Sequence, residues 1–67
     1  MSERFRLFID MTSPAFQESP MGELAAILRT LADQAETDGF LGWMVVDDKD
    51  NVTVGELQIE TIEADHG

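Results

Sequence analysis

Between Pro20 and Asp38 the chain carries one amphipathic helical stripe, and the rest of its 67 residues reads as strand or loop. Leu24, Ile27, Leu28, Leu31, Ala32 and Ala35 recur every three or four positions and make a single apolar face. Glu23, Thr30, Asp33 and Thr37 fall toward the opposite side. Ser19 fits the N-cap, and Pro20 the first helical position, where a missing N–H is no loss. Gly39, following Asp38, supplies a left-handed stop. The stripe covers fewer than three heptads, too short for a coiled-coil seam, so it has to be buried against a sheet.

The flanking segments supply that sheet. Residues 4–11 alternate, with Phe5, Leu7, Ile9 and Met11 on one face and Arg4, Arg6, Phe8 and Asp10 on the other. Residues 12–19 have no period and contain Pro14, so they form a connecting loop, which Phe16 is expected to pin to the core. Residues 40–47 are apolar and rich in strand formers, Asp48-Lys49-Asp50-Asn51 is turn chemistry, and a third strand returns from Val52 to Ile59 or Thr61. Within it Leu57 and Ile59 share one face, while Glu56, Gln58 and Glu60 share the other. Val52 and Val54 fall in phase with the acids, which points to a bulge at Gly55. The tail 63–67 is expected to fray.

The expected fold class is therefore α+β, a single β-α-β-β domain with one helix on one face of a three-stranded sheet. The strand order stays open; if the first two strands are parallel, their crossover should be right-handed. The face away from the helix would carry Arg4, Arg6, Phe8, Glu56, Gln58, Glu60 and alternate residues of the Trp43–Val46 run. Trp43 and Phe8 are expected to leave an apolar patch there, a feature that often marks an interaction surface. A domain of about 60 residues buries only about 60% of its unfolded surface. A homodimer through that face, or through a shared sheet edge, is a reasonable expectation for so small a core.

Composition then narrows the function classes. There is no cysteine, which excludes disulfides and thiolate-ligated metals. The one histidine, His66, stands next to the C-terminus and argues against His-based catalysis or metal binding. No apolar run approaches the roughly 20 residues that span a bilayer, and the start of the chain does not read as a signal peptide, so a cytoplasmic location is expected. Fourteen acids stand against four bases, a net charge of −10. Residues 1–29 hold four acids and three bases, whereas residues 30–67 hold ten acids and only Lys49. Such a charge repels phosphate backbones and anionic lipid and attracts basic protein surfaces. Arg4 and Arg6 are too few to reverse that.

The acids invite two chemical readings that their context weakens. Asp47, Asp48 and Asp50 are close in sequence, but general acid catalysis needs a carboxyl group with a raised pKa in a dry cleft, and a hairpin tip is solvated. A calcium loop started at Asp48 would place Val52 and Thr53 at its fifth and sixth positions, where an oxygen ligand and a glycine are needed. No enzymatic activity, cofactor or metal is expected. The remaining reading is a rigid array of negative charge formed by Asp33, Glu36, Asp47, Asp48, Asp50, Glu56 and Glu60, each facing Arg or Lys of a partner.

A resemblance points the same way. Residues 4–60, with the Gly22-Glu-Leu-Ala helix start, Leu28-Arg-Thr-Leu-Ala-Asp33 and the hairpin Asp48-Lys-Asp-Asn-Val-Thr-Val-Gly55, resemble a group of small phage and prophage proteins. Asp50-Asn51-Val52 stands where that group usually has Asn-Gly-Asn. In size, acidity and apparent origin the chain also resembles anti-CRISPR inhibitors, several of which imitate nucleic acid. That resemblance implies a phage-type inhibitor whose acidic face occupies the basic nucleic-acid groove of a host defence complex, such as a CRISPR surveillance complex. The alternative is a small non-catalytic assembly or accessory module that dimerises or docks through the apolar patch around Trp43, with the charge serving solubility.

Overall fold

The computed structural model describes residues 2–62; the tail 63–67 and His66 lie outside them. Strand β1 (Ser2–Ile9) leads through a short 3-10 turn (Pro14–Phe16) to helix α1 (Pro20–Thr37), then to strands β2 (Trp43–Asp47) and β3 (Thr53–Ile62). The strand order is β1-β3-β2, and both neighbouring pairs are antiparallel. The longest strand, β3, thus lies between β1 and β2, which run parallel to each other without touching. This is the expected α+β arrangement with the strand order now fixed.

The boundaries shift for local reasons. β1 ends at Ile9 because the carboxylate of Asp10 turns the chain: its Oδ1 accepts the Thr12 N–H at 3.0 Å and the Thr12 hydroxyl at 2.7 Å. β2 starts at Trp43, so Phe40 to Gly42 lie outside it. Ser19 does occupy the N-cap, but its hydroxyl makes no capping bond; its carbonyl accepts the Glu23 N–H instead. Gly39 takes the left-handed conformation (φ 74°) and donates to the Gln34 carbonyl, closing the helix as expected.

The core lies between α1, the loop and one sheet face. Phe16, Ile27, Val46, Val54 and Leu57 are buried, with Leu7, Ile9, Met11, Leu24, Leu31, Phe40 and Met44 packed around them. Phe16 does pin the loop. The helix is rotated relative to the expected stripe: Glu23, Leu24, Ile27, Leu31 and Gln34 face the sheet, whereas Leu28, Ala32 and Ala35 are exposed. The cause is visible at both ends of α1. Glu23 is held inward by the Lys49 N–H (2.9 Å to Oε2), and Gln34 Nε2 points at Met44 Sδ.

The bulge falls where the sequence places it. β2 advances one residue from Val46 to Asp47 while β3 advances two, from Gly55 to Thr53, so Val54 is the extra residue. This releases Val54 from the phase of the acids and turns it into the core, and its carbonyl accepts the Asp10 N–H at 2.7 Å. At Gly55 the backbone of β1 passes so closely that a Cβ would overlap the Phe8 carbonyl and lie 3.0 Å from Ile9 Cα. Only glycine fits this crossing.

Candidate functional site

Two regions gather polar or exposed apolar groups: the β2–β3 hairpin end and the sheet face away from α1. The hairpin is a short connection closed by Asp48 N–H to the Val52 carbonyl and Asn51 N–H to the Asp48 carbonyl, with Asn51 left-handed at φ 62°. Asp48 organises it. Its Oδ1 accepts the N–H groups of Asp50 (2.8 Å) and Val52 (3.0 Å), and its Oδ2 accepts the Ser13 hydroxyl (2.7 Å). Burial acts to raise the Asp48 pKa, but the bonds from Ser13, Val52 and Asp50 and the nearby Lys49 charge outweigh it and hold the carboxyl below its ordinary value.

Asp48 is therefore a structural group. It was expected among the partner-binding acids, and the structure corrects this: it is buried, with both oxygens occupied from within the chain. Glu23, also buried, binds the Lys49 N–H in the same knot. A groove of about 400 Å³ between α1 and β2 is lined by Glu23, Thr30, Gln34, Val46 and Asp48. Both of its buried carboxylates are spent on main-chain and hydroxyl donors. No group of three or more metal-binding side chains converges among the described residues.

On the open face the register sets Arg4 against Glu60, Arg6 against Gln58 and Trp43, and Phe8 against Glu56 and Val45. Glu60 is drawn into ion pairs with Arg6 (3.3 Å) and Arg4 (3.8 Å). Glu56 accepts the Trp43 indole N–H at 2.8 Å, and Asp47 accepts the Thr53 hydroxyl at 3.0 Å. Arg4, Arg6, Glu56 and Glu60 cancel in charge. Among these groups stand Phe8 (63% exposed), Trp43 (56%) and Val45 (47%). Among the described residues no second layer covers them.

The seven acids expected to form one array are thus dispersed. Asp33 and Glu36 are exposed on α1, on the far side of the sheet from Glu56 and Glu60. Asp47 and Asp50 are exposed at the hairpin end, Asp48 is internal, and Glu60 is neutralised by two arginines. Phe8 and Trp43, expected to leave an apolar patch, are both exposed on the open face, with Glu56 and Gln58 of β3 between their strands. What sequence reasoning missed was the Ser13–Asp48–Glu23 knot, although Asp48-x-Asp50-x-Val52 carries the pattern of an aspartate bonding to its own turn.

Compared with protein-family models, curated proteins and solved structures, the chain matches none. No helix of the described residues is long and apolar enough to cross a membrane.

Proposed function

We propose that this chain is a non-catalytic protein-binding module that docks its open sheet face on an apolar surface of a partner protein bordered by Arg or Lys. The observation that carries this reading is the exposure of Phe8, Trp43 and Val45 on one sheet face that no other described residue covers. Large aromatic side chains on a flat sheet are suited to be anchors in an interface, because they bury much area at little entropic cost. The net charge of −10 supplies the second term: it selects basic partners and speeds their approach.

The narrower expectation, a phage-type inhibitor occupying the nucleic-acid groove of a CRISPR complex, draws on size, charge and resemblance. Its seven acids sit on different sides of the body, so the reading proposed here keeps its protein-binding part and moves the contact to the apolar face. Affinity capture with three baits tests the choice: wild type, Phe8→Ser, and Asp33→Lys with Glu36→Lys. Proteins retained by wild type and by the helix charge reversal, and lost by Phe8→Ser, support the open face. Proteins lost by the charge reversal and retained by Phe8→Ser favour an acidic array instead.

A further inference from the structure

The two edges of the sheet are unlike. β1 alternates charged residues along its length, Glu3, Arg4 and Arg6, which is how exposed edges are kept from pairing. β2 has no proline and no lysine, and its one charge, Asp47, stands at its end. The hydrogen-bond phase of β2 follows from one bond. The Ile59 N–H donates to the Gly42 carbonyl at 2.9 Å, and the register sets those residues opposite each other. Antiparallel pairs alternate between bonded and non-bonded, so Met44 and Val46 turn their main-chain groups toward β3. Trp43, Val45 and Asp47 turn theirs outward, to an edge that has no neighbouring strand among the described residues.

We infer that β2 pairs with β2 of a second copy of this chain, antiparallel about a two-fold axis at Val45. The outward groups are self-complementary about that residue: Val45 faces Val45 of the second copy, and Trp43 faces its Asp47. All three pairs fall in the bonded phase, giving about six main-chain hydrogen bonds. The axis is normal to the sheet, so the result is one six-stranded sheet with both helices on one side. The two Trp43–Val45 clusters become adjacent on the other. Like charge opposes this pairing only weakly. The nearest open-face carboxylates across the seam, Asp47 and the Glu56 of the second copy, are two strand spacings and two residues apart, about 12 Å. The Debye length at physiological salt is about 8 Å. The inference stands on main-chain geometry and holds whether or not the open face docks a different protein.

Sedimentation equilibrium of the full chain tests it. The expected species has twice the 7.5 kDa chain mass, and its dissociation constant falls as salt rises from about 50 to about 500 mM. A basic partner shows the opposite salt dependence. Val45→Pro removes an N–H that points outward from an edge strand, where proline is tolerated, so its circular dichroism should match wild type while its dissociation constant rises at least about tenfold. Val45→Thr should still dimerise. If Val45→Pro unfolds, Val45→Cys gives a second route. The chain has no other cysteine, and a bonded antiparallel pair holds Cα atoms about 5.5 Å apart, close enough for a short thiol-reactive bis-maleimide to bridge. A short bis-maleimide should then cross-link Val45→Cys and leave Phe8→Cys uncross-linked. A monomer at every salt and concentration overturns the inference, as does a dimer that survives Val45→Pro or that Phe8→Cys cross-links faster.

Discussion

On the helix side of the sheet Leu57 is wholly enclosed. One residue away, on the other side of the same strand, Glu56 lies between Phe8 and Val45, both open to solvent. The hairpin end differs from both. There Asp48 and Glu23 are buried, yet every buried side-chain polar atom among the described residues has a partner. The molecule thus encloses polar groups where it can satisfy them and exposes large apolar groups where it has nothing to satisfy. Stability is concentrated on the helix side and in the hairpin knot. Substitutions with equal effects on both faces would erase this difference between them, and substitutions with unequal effects would measure it.

The largest effect is expected at Gly55. Its Cβ position is filled by the β1 backbone at Phe8 and Ile9, which is main chain and has no rotamer with which to yield. Gly55→Ala should cost at least about 3 kcal/mol, enough to unfold a domain whose core supplies about 3–5 kcal/mol. Loss of the far-UV circular dichroism of the folded chain at 25 °C checks it. A folded Gly55→Ala would mean that the two strands do not cross this closely.

Next comes a matched pair across the sheet. Leu57→Ala on the closed face should destabilise by about 2–5 kcal/mol, the range for a fully buried leucine. Phe8→Ala on the open face should stay within about 0.5 kcal/mol of wild type in urea titration. Equal losses would place Phe8 in the core and remove the distinction between the two faces. The one tryptophan, Trp43, reports the same contrast spectroscopically. Its emission should be that of a solvent-exposed indole in the free monomer and should shift to the blue when the open face is covered.

Much of this division was legible in the sequence. The alternation at Arg4–Ile9 placed Phe8 outside, and the phase break between Val54 and Leu57 located the bulge. The capping pair Pro20 and Gly39 gave the helix to within a residue. The rotation of α1 was not legible, because it depends on two polar residues, Glu23 and Gln34, finding partners on β2 and its hairpin. A hydrophobic stripe counts Leu28 and Ala35 as equal to Leu31, and only tertiary contact tells them apart. The strand order was hidden for a related reason. Nothing in β3 itself says whether β1 joins it on its free edge or joins β2. The acids misled because density along a chain is not density in space: a period of two on β3, a helix on the other layer and a turn send neighbours in sequence to different sides.

A smaller, pH-dependent loss is expected at Asp48. Its folded pKa lies below its unfolded value, so its contribution is present above the ordinary carboxyl pKa and disappears as pH falls through the lowered folded value. Asp48→Asn should therefore be less stable than wild type at neutral pH. The two should converge in acid, and thermal melts across pH 2 to about 7 compare them. A parallel offset at every pH would show that the Asp48 charge takes no part in holding Ser13 to the hairpin.

The smallest effect belongs to Glu60, and it tests the open face from its polar side. Its two arginine partners are more than half exposed, and exposed ion pairs contribute about 0–1 kcal/mol. Glu60→Gln should therefore barely change the urea midpoint, and less so at high salt. It does change the face: without the carboxylate, Arg4 and Arg6 lose their ion-pair partner and the open surface becomes more positive by one charge. Binding to a positively charged partner should weaken by more than stability does, while pairing of β2 with a second copy, two strands away from β1, should be unaffected. If Glu60→Gln left the binding unchanged and Phe8→Ser abolished it, the contact would be apolar alone, and the acidity of the chain would act at a distance, on the rate of encounter.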